Sequence, residues 1–292
     1  MTRRRAQTHT QTISGLNYCL HEWDGGGEVT IILLHGFLDV GLSWSFVAEA
    51  LADTNFHLVA PDWRGHGESD WLGDGGYYHF VDYVRDLEQI VAAFRRQHVL
   101  IVGHSMGAMA ALLWAGARPE QLDALMVVDG TGPLPVSAGD YPERVARWLE
   151  QVAPFRASGF TRSMATLDDV IGRLKRSRPN QSHAVLSRLA EFSTRRGEDG
   201  LLYWKHDPLH RTKTPLPVSP DVVDAFWTRI RCPIFWVSGE RSPWNYDTLT
   251  AWIEAHPMAQ RQVLSGVGHM VHTEAAESLA KLLRKAVQSV GI

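Results

Sequence analysis

Cysteine, long apolar stretches and a surplus of either charge are all scarce in this sequence of 292 residues. The 2 cysteines, Cys19 and Cys232, are far apart and form no CxxC pair, which favours buried reduced thiols over a disulfide framework. With 29 basic and 32 acidic residues, the net charge of −3 argues against a nucleic-acid partner. No stretch approaches the roughly 18 apolar residues of a membrane span. We therefore expect a globular protein without a membrane span.

Signals for targeting and for cofactors are also missing. The basic residues at 3–5 precede a polar stretch at 6–12 rather than the apolar segment of a signal peptide, so we expect a cytoplasmic protein. The sequence contains no glycine-rich phosphate loop, dinucleotide fingerprint or metal-ligand spacing. We accordingly expect neither a cofactor nor a metal ion.

Short apolar runs that alternate with helical patterns define the fold class. Such runs predict strands buried on both faces of a parallel sheet. Helical spacing of apolar residues is clearest at 80–96, 106–117 and 274–290. A hairpin at 10–23 precedes this alternation, which predicts an α/β fold with right-handed crossovers. The buried strands are expected at 29–34, 56–60, 99–102, 124–128, 234–237 and, more weakly, 261–264.

Residues 131–230 interrupt this rhythm. Their pattern is helical, and the segment 131–232 holds 16 basic against 11 acidic residues, whereas the rest of the chain holds 13 against 21. We interpret residues 1–130 and 231–292 as the core, and residues 131–230 as a helical lid inserted after the sixth strand. This lid is expected to cover a cleft at the carboxyl edge of the sheet.

The pentapeptide Gly103-His104-Ser105-Met106-Gly107 connects a predicted strand to a predicted helix. In that context G-x-S-x-G forms a sharp turn that raises the serine side chain above the sheet, and bulky end residues would collide with the backbone. A chance glycine–serine turn is the alternative, which the strand–turn–helix setting disfavours. Ser105 is therefore the candidate nucleophile.

An earlier glycine turn, His35-Gly36-Phe37, ends the strand at 29–34. Its backbone can direct the Phe37 amide toward the point that the Met106 amide faces. Two such N–H donors constitute an oxyanion hole, which stabilises the charge that develops during acyl transfer.

The candidate general base comes late in the chain. Gly266-Val267-Gly268-His269-Met270 follows the last predicted strand and precedes the terminal helix. His269 is preferred over His272, which already belongs to the start of the helix. The loop Pro61-Asp62-Trp63-Arg64-Gly65-His66-Gly67 reads as a tight structural turn, so we assign His66 no catalytic role.

Taken in order, the motifs HGF, PDWRGHGES, GHSMG and GVGHM resemble the α/β-hydrolase superfamily over about 15–130 and from 232 to the end. HGFLD at 35–39 and WKHDPL at 204–209 make the chain most similar to serine hydrolase-like proteins and related carboxylic-ester hydrolases. The resemblance implies a mostly parallel eight-stranded sheet flanked by helices, and a Ser–His–acid triad. Relatives that form alkyl-enzyme esters carry Asp where this chain has Ser105.

The acid departs from the pattern of that superfamily. Its members commonly place Asp three residues after the glycine that ends strand seven, where this chain has Ser242. Serine cannot stabilise an imidazolium as a carboxylate does. Two substitutes remain: Asp129, which ends strand six, and Glu240, one residue past Gly239. We choose Asp129 because it closes a buried strand at the edge where α/β folds bind ligands.

The predicted activity is hydrolysis of a carboxylic ester, thioester or lactone through an acyl-enzyme. An abundance of tryptophan, 11 in all, suggests an apolar acyl or aromatic pocket in a small-molecule site, although ordinary packing explains most of these side chains. Carbon–carbon bond hydrolysis and cofactor-free oxygenation use the same constellation and remain open. A ligand-binding protein that has lost turnover is the alternative from another class.

Overall fold

The central element is a mixed sheet of eight strands, seen in a computed structural model that describes residues 5–130, 136–158, 162–244 and 247–292. The strands are β1 (Gln7–Ile13), β2 (Leu16–Asp24), β3 (Val29–Leu34), β4 (His57–Pro61), β5 (His98–His104), β6 (Ala124–Val128), β9 (Ile234–Gly239) and β10 (Ala259–Leu264). Their order across the sheet is β1-β2-β4-β3-β5-β6-β9-β10. The strand pairs from β4 to β10 are parallel, and β1 and β2 form the antiparallel hairpin at one edge. The predicted fold class is confirmed.

Alternating side chains bury both faces of this sheet. In β3, Ile31 and Leu33 belong to one apolar cluster, while Ile32 and Leu34 belong to the cluster on the opposite face. A strand with period-2 side chains reads as a continuous apolar run when helices cover both faces. The apolar run at 29–34 predicts a buried strand for that reason, and β3 has the same bounds.

Helices cover the two faces. They are α1 (Ser45–Ala50), α2 (Phe80–Phe94), α3 (Met106–Ala117), α8 (Asp247–Glu254), α9 (Val271–Glu274) and α10 (Ala276–Ser289). The predicted helix at 106–117 has the bounds of α3, and the one predicted at 274–290 corresponds to α10, which Ala275 separates from the short α9 before it. Among the described residues, no helix has the length and apolar character that crossing a membrane requires.

Helical segments and one small hairpin lie between β6 and β9; we call residues 131–230 the insert. It contains α4 (Tyr141–Ser158), α5 (Leu167–Ser177), α6 (His183–Ser193), β7 (Thr194–Arg196), β8 (Leu202–Trp204) and α7 (Pro220–Trp227). The expected helices are present, but the antiparallel β7–β8 hairpin was not expected. Both strands have only three residues, too few for a periodic signal. The Asp199-Gly200 turn, with φ 77° at Gly200, was the available cue.

Polar contacts join the insert to loops at the carboxyl edge of the sheet. Arg178 donates to Asp39 at 3.2 Å, and Gln181 donates to Thr273 at 2.6 Å. Asp207 accepts a hydrogen bond from the Tyr78 hydroxyl at 2.7 Å. The insert therefore lies over the loops that follow β3, β4 and β10.

Candidate active site

Ser105 occupies the sharp turn between β5 and α3. Its φ of 51° and ψ of −113° are unusual for a residue with a side chain, and its amide donates to the Val128 carbonyl at 3.1 Å. A Cβ on Gly107 would lie 2.6 Å from the Leu34 carbonyl oxygen, and one on Gly103 would lie 2.5 Å from the Ala108 nitrogen. Both flanking glycines are thus required sterically. Such strained positions concentrate at functional sites.

Parallel register brings the acid to the same edge. His104 is aligned with Val128, and Val128 with Val237, so Ser105 and Asp129 leave neighbouring strands side by side. Asp129 is 2% exposed, with φ 45°, and its amide donates to the Val237 carbonyl at 2.7 Å. Its Oδ2 accepts a hydrogen bond from His269 Nδ1 at 2.5 Å. The structure therefore joins Asp129 to His269.

Two further donors hold the Asp129 carboxylate. The Gly239 amide donates to Oδ1 at 3.1 Å, and the Ser242 hydroxyl donates to Oδ2 at 2.5 Å. The Ser242 oxygen in turn accepts a hydrogen bond from the Trp244 amide at 3.2 Å. In the sequence, Ser242 is recognisable only as the residue that stands where relatives have the acid. The hydrogen bond between Ser242 and Asp129 forms because two loops meet in the folded chain, and nothing in the sequence indicates that these loops meet.

The rival residues have other partners. Glu240 accepts hydrogen bonds from Ser265 Oγ at 2.9 Å and the Gly266 amide at 2.7 Å. His272 is fully buried, and its Nε2 contacts Ser43 Oγ at 3.1 Å and Asp39 Oδ2 at 3.2 Å. Neither residue takes the place of Asp129 or His269 in the contact described above.

The loop that carries His269 is packed tightly against the end of β9. A Cβ on Gly239 would lie 2.2 Å from the Gly268 carbonyl oxygen, so only glycine permits this approach. His104 Nε2 donates to the His269 carbonyl at 2.9 Å, and the two imidazole rings are 4.6 Å apart. Burial, followed by the nearby His272 and His269, holds the pKa of His104 well below its usual range. His104 is therefore a neutral support for the His269 loop.

The turn after β3 approaches Ser105 closely. A Cβ on Gly36 would lie 3.1 Å from the Ser105 Cβ and 2.7 Å from His104 Nδ1. Leu38 has φ 57°, and its amide donates to His66 Nε2 at 3.3 Å. This turn brings the Phe37 backbone to the edge where α3 begins at Met106. The two candidate oxyanion-hole residues therefore flank Ser105.

A mostly apolar cavity of about 340 Å³ opens at Ser105 and Met106. Core and insert both contribute to its wall, including Phe37, Tyr83, Met109, Leu209, His210 and Trp244. The abundance of tryptophan suggested an apolar pocket, but among the described residues Trp244 is the only tryptophan in the wall of this cavity. Trp44, Trp227 and Trp236 are buried in the core instead, because a large apolar ring is stabilised most by full burial.

Two buried groups have the residue types that bind metal ions, within the described parts of the chain. In the first, Cys19, His21 and Asp62 are close together, but burial raises the pKa of the Cys19 thiol to about 12, whereas a metal requires the thiolate. The second comprises Asp39, His104 and His272, with the Arg178 guanidinium bonded to Asp39. A fixed cation at that carboxylate disfavours a second one. Both cysteines are free and buried, as expected.

A family model described as the α/β hydrolase fold matches residues 29–276. A Bacillus subtilis protein provisionally named 2-succinyl-6-hydroxy-2,4-cyclohexadiene-1-carboxylate synthase is 25% identical over 282 residues, which cover 94% of this chain and 96% of that protein. The Danio rerio serine hydrolase-like protein is 26% identical over 183 residues, 62% of this chain and 56% of the relative. The thioesterase domain from the curacin biosynthetic pathway superposes with a TM-score of 0.85 at 28% identity, covering 96% of this chain and 99% of the domain.

These likenesses agree with the architecture. The matched region spans the sheet from β3 to β10 and contains Ser105, Asp129 and His269. The resemblance to serine hydrolase-like proteins that the motifs indicated is confirmed. The chain belongs to the α/β-hydrolase fold family.

Proposed function

We propose that this chain hydrolyses carboxylic esters or thioesters through an acyl-enzyme on Ser105. The observation that carries the proposal is the hydrogen bond between His269 Nδ1 and Asp129 at 2.5 Å, beside a serine in a strained strand–helix turn. Esterolysis also accords with relatives that include a serine hydrolase-like protein and a thioesterase domain.

In this proposal each group has one role. Nδ1–H donates to Asp129, which leaves Nε2 of His269 free to accept the Ser105 proton as the hydroxyl attacks the carbonyl carbon. The Phe37 and Met106 amides donate to the resulting oxyanion. His269 then gives the proton to the leaving oxygen or sulfur, and a water molecule activated by the same imidazole releases the acid. Ser242 and Gly239 fix the carboxylate that orients the ring.

In this proposal the insert acts as the lid. Leu209 and His210 of the insert line the cavity that also contains Ser105, so substrate enters between insert and core. The mostly apolar wall favours an acyl or aromatic group at this position.

Other reactions use the same residues. Carbon–carbon bond hydrolysis and cofactor-free oxygenation both need a Ser–His pair beside an oxyanion hole, and the Bacillus subtilis relative is named for a different transformation. An acyl-enzyme that forms on an ester and turns over without oxygen distinguishes esterolysis from these reactions. A binding protein without turnover would give no release of alcohol or thiol at all.

The test is Ser105→Ala, with the exposed Ser289→Ala as control. Loss of the nucleophile is expected to lower kcat for a short-chain p-nitrophenyl ester by roughly 10⁴ to 10⁶. A fluorophosphonate probe should label the parent protein and Ser289→Ala but not Ser105→Ala. A folded Ser105→Ala protein that keeps more than a tenth of the activity contradicts the assignment.

A further inference from the structure

A second cavity, about 800 Å³, shares Phe37 with the apolar cavity and extends to His269. Its described wall contains no aspartate or glutamate. Arginine is the side chain that recurs in it, always from the insert: Arg162, Arg173, Arg176, Arg178 and Arg211. We call it the arginine cavity. Its wall includes His269, the candidate catalytic histidine, so a group bound in this cavity lies beside the candidate general base.

Among the described residues, Arg173, Arg176 and Arg211 form no ion pair with a carboxylate. Arg178 does, because it donates to Asp39 at 3.2 Å. Arg173 donates to the Ser163 carbonyl at 3.3 Å, and Arg176 donates to the Gly172 carbonyl at 3.2 Å. Arg211 contacts the neutral ring of His206 at 3.5 Å. These contacts orient guanidinium groups without neutralising them.

The arginines also affect each other's protonation. Burial lowers the pKa of Arg211, and the charges of Arg162 and Arg173 lower it further. The pKa of His206 falls to about 4 through burial and the charge of Arg211. Two arginines elsewhere in the insert do have carboxylate partners: Arg147 with Glu143 at 2.9 Å, and Arg188 with Glu49 at 2.5 Å. Several guanidinium groups without a carboxylate ion pair therefore line the same cavity as His269.

The position of His269 assigns the two cavities to the two halves of a substrate. Ser105 and Met106, which would hold the acyl carbonyl, line the apolar cavity, while the arginine cavity reaches His269. In the mechanism proposed above, His269 protonates the leaving group as the ester bond breaks. The leaving group therefore lies on the His269 side of Ser105, where the arginine cavity is the larger of two cavities whose described walls include His269.

We propose that the arginine cavity binds an anionic group, a phosphate or a carboxylate, carried by the leaving alcohol or thiol of the substrate. The inference rests on the proposed function, since it uses Ser105 and His269 to set the direction. Guanidinium groups suit both anions because their planar N–H donors match the oxygens in pairs. The bond cleaved stays the same carbonyl carbon–oxygen or carbon–sulfur bond, and the anion serves only to bind and orient.

Matched substrates test the site. Butanoyl thioesters of pantetheine and of 4′-phosphopantetheine differ only in the phosphate. Butanoyl esters of 3-hydroxybutyrate and of 3-hydroxybutanamide differ in the carboxylate charge and share a single ester bond. At low salt, kcat/KM of the parent protein is expected to be at least about 10-fold higher for one or both anionic members, as a few charge-assisted hydrogen bonds allow. The pair that shows the preference identifies the anion.

The variants are Arg173→Gln with Arg211→Gln, and Arg147→Gln as the control outside the cavity. The double variant should lose the preference through KM. Arg147→Gln should keep both the preference and the rates of the parent protein, and Arg211→Lys should retain most of the preference. The preference should also shrink with added salt. Equal rates on charged and neutral members overturn the anion site alone. Failure to hydrolyse any of the four overturns the proposed function, and the leaving-group assignment with it.

Discussion

The core and the insert position their functional groups in different ways. Ser105 and Asp129 follow strands, and backbone hydrogen bonds fix their main chains. His269 lies in a strand-end loop, and its carbonyl accepts a hydrogen bond from His104 Nε2. The arginines of the insert are held by side-chain contacts to carbonyl oxygens and to Asp39. A sheet edge fixes atoms closely enough for proton transfer, whereas helices and short loops suit recognition that can change between relatives.

The core and the insert also differ in how their apolar side chains are packed. The core has an extensive apolar cluster on each face of its sheet. The insert has a small cluster of its own that includes Val170, Leu186 and Leu189. Its α5, α6 and the loop at Asp207 meet the core through polar contacts, whereas Val223 and Trp227 of α7 join one of the core clusters. Substitutions in the core site should therefore change chemistry, while those at the contacts should change stability or substrate choice.

The largest expected effect concerns the core. Asp129→Asn should lower kcat by roughly 10⁴, because an amide favours the wrong tautomer of His269. Glu240→Gln should leave kcat nearly unchanged, since Glu240 accepts hydrogen bonds from Ser265 and Gly266 instead. The steady-state rates of the two variants on one ester show whether Asp129 or Glu240 supplies the acid. The reverse ranking of the two variants would show that Glu240 supplies the acid.

A smaller effect is expected where the insert meets the core. Burial raises the pKa of Asp39, but Arg178 and His272 outweigh it and hold that pKa well below the usual range. Asp39→Asn removes the charge facing the buried Arg178 and should lower the free energy of unfolding at pH 7 by about 3 kcal/mol. Because the folded pKa is depressed, this stabilisation is present above the ordinary carboxyl pKa of about 3.9 and is lost as pH falls through the folded value.

Urea unfolding at pH 7 and at decreasing pH measures that difference. The gap between the parent protein and Asp39→Asn should narrow below about pH 4. Asp53→Asn is the matched control, since Asp53 forms an exposed pair with Arg284 and should have a much smaller effect. A gap that widens toward acid pH would mean that Asp39 is protonated in the folded protein.

The smallest effect, measured over one pH unit below about 6.5, concerns His210, which the insert packs against Tyr78 of the core. Burial and the neighbouring His206 lower the pKa of His210 to about 3, whereas an unfolded histidine titrates near 6.5. The unfolded state therefore binds more protons between these values, and stability should fall as pH decreases from about 6.5. His210→Gln should reduce that slope by up to about 1.4 kcal/mol per pH unit. The exposed His183→Gln should not change it; equal slopes in all three proteins would refute the prediction.

Much of the core could be predicted because local sequence and tertiary position agree there. The runs at 29–34 and 124–128 are apolar except for Thr30, since both sheet faces are covered, and glycines appear where backbones approach. The β7–β8 hairpin was missed because three-residue strands carry no period. The contact of Ser242 with Asp129 was not predicted for a different reason: the two residues are distant in sequence, and only the sheet brings them together.

By itself, the sequence determined the α/β class and the candidacy of Ser105, His269 and Asp129, because strand–turn–helix geometry and glycine sterics are local properties. Only the tertiary structure decided which carboxylate meets His269, what Ser242 does, and where the basic residues of the insert gather. These facts depend on loops separated by more than 100 residues that meet at one edge of a parallel sheet. No local sequence pattern specifies which loops contact each other, because these contacts depend on the order of the strands and on how the insert packs.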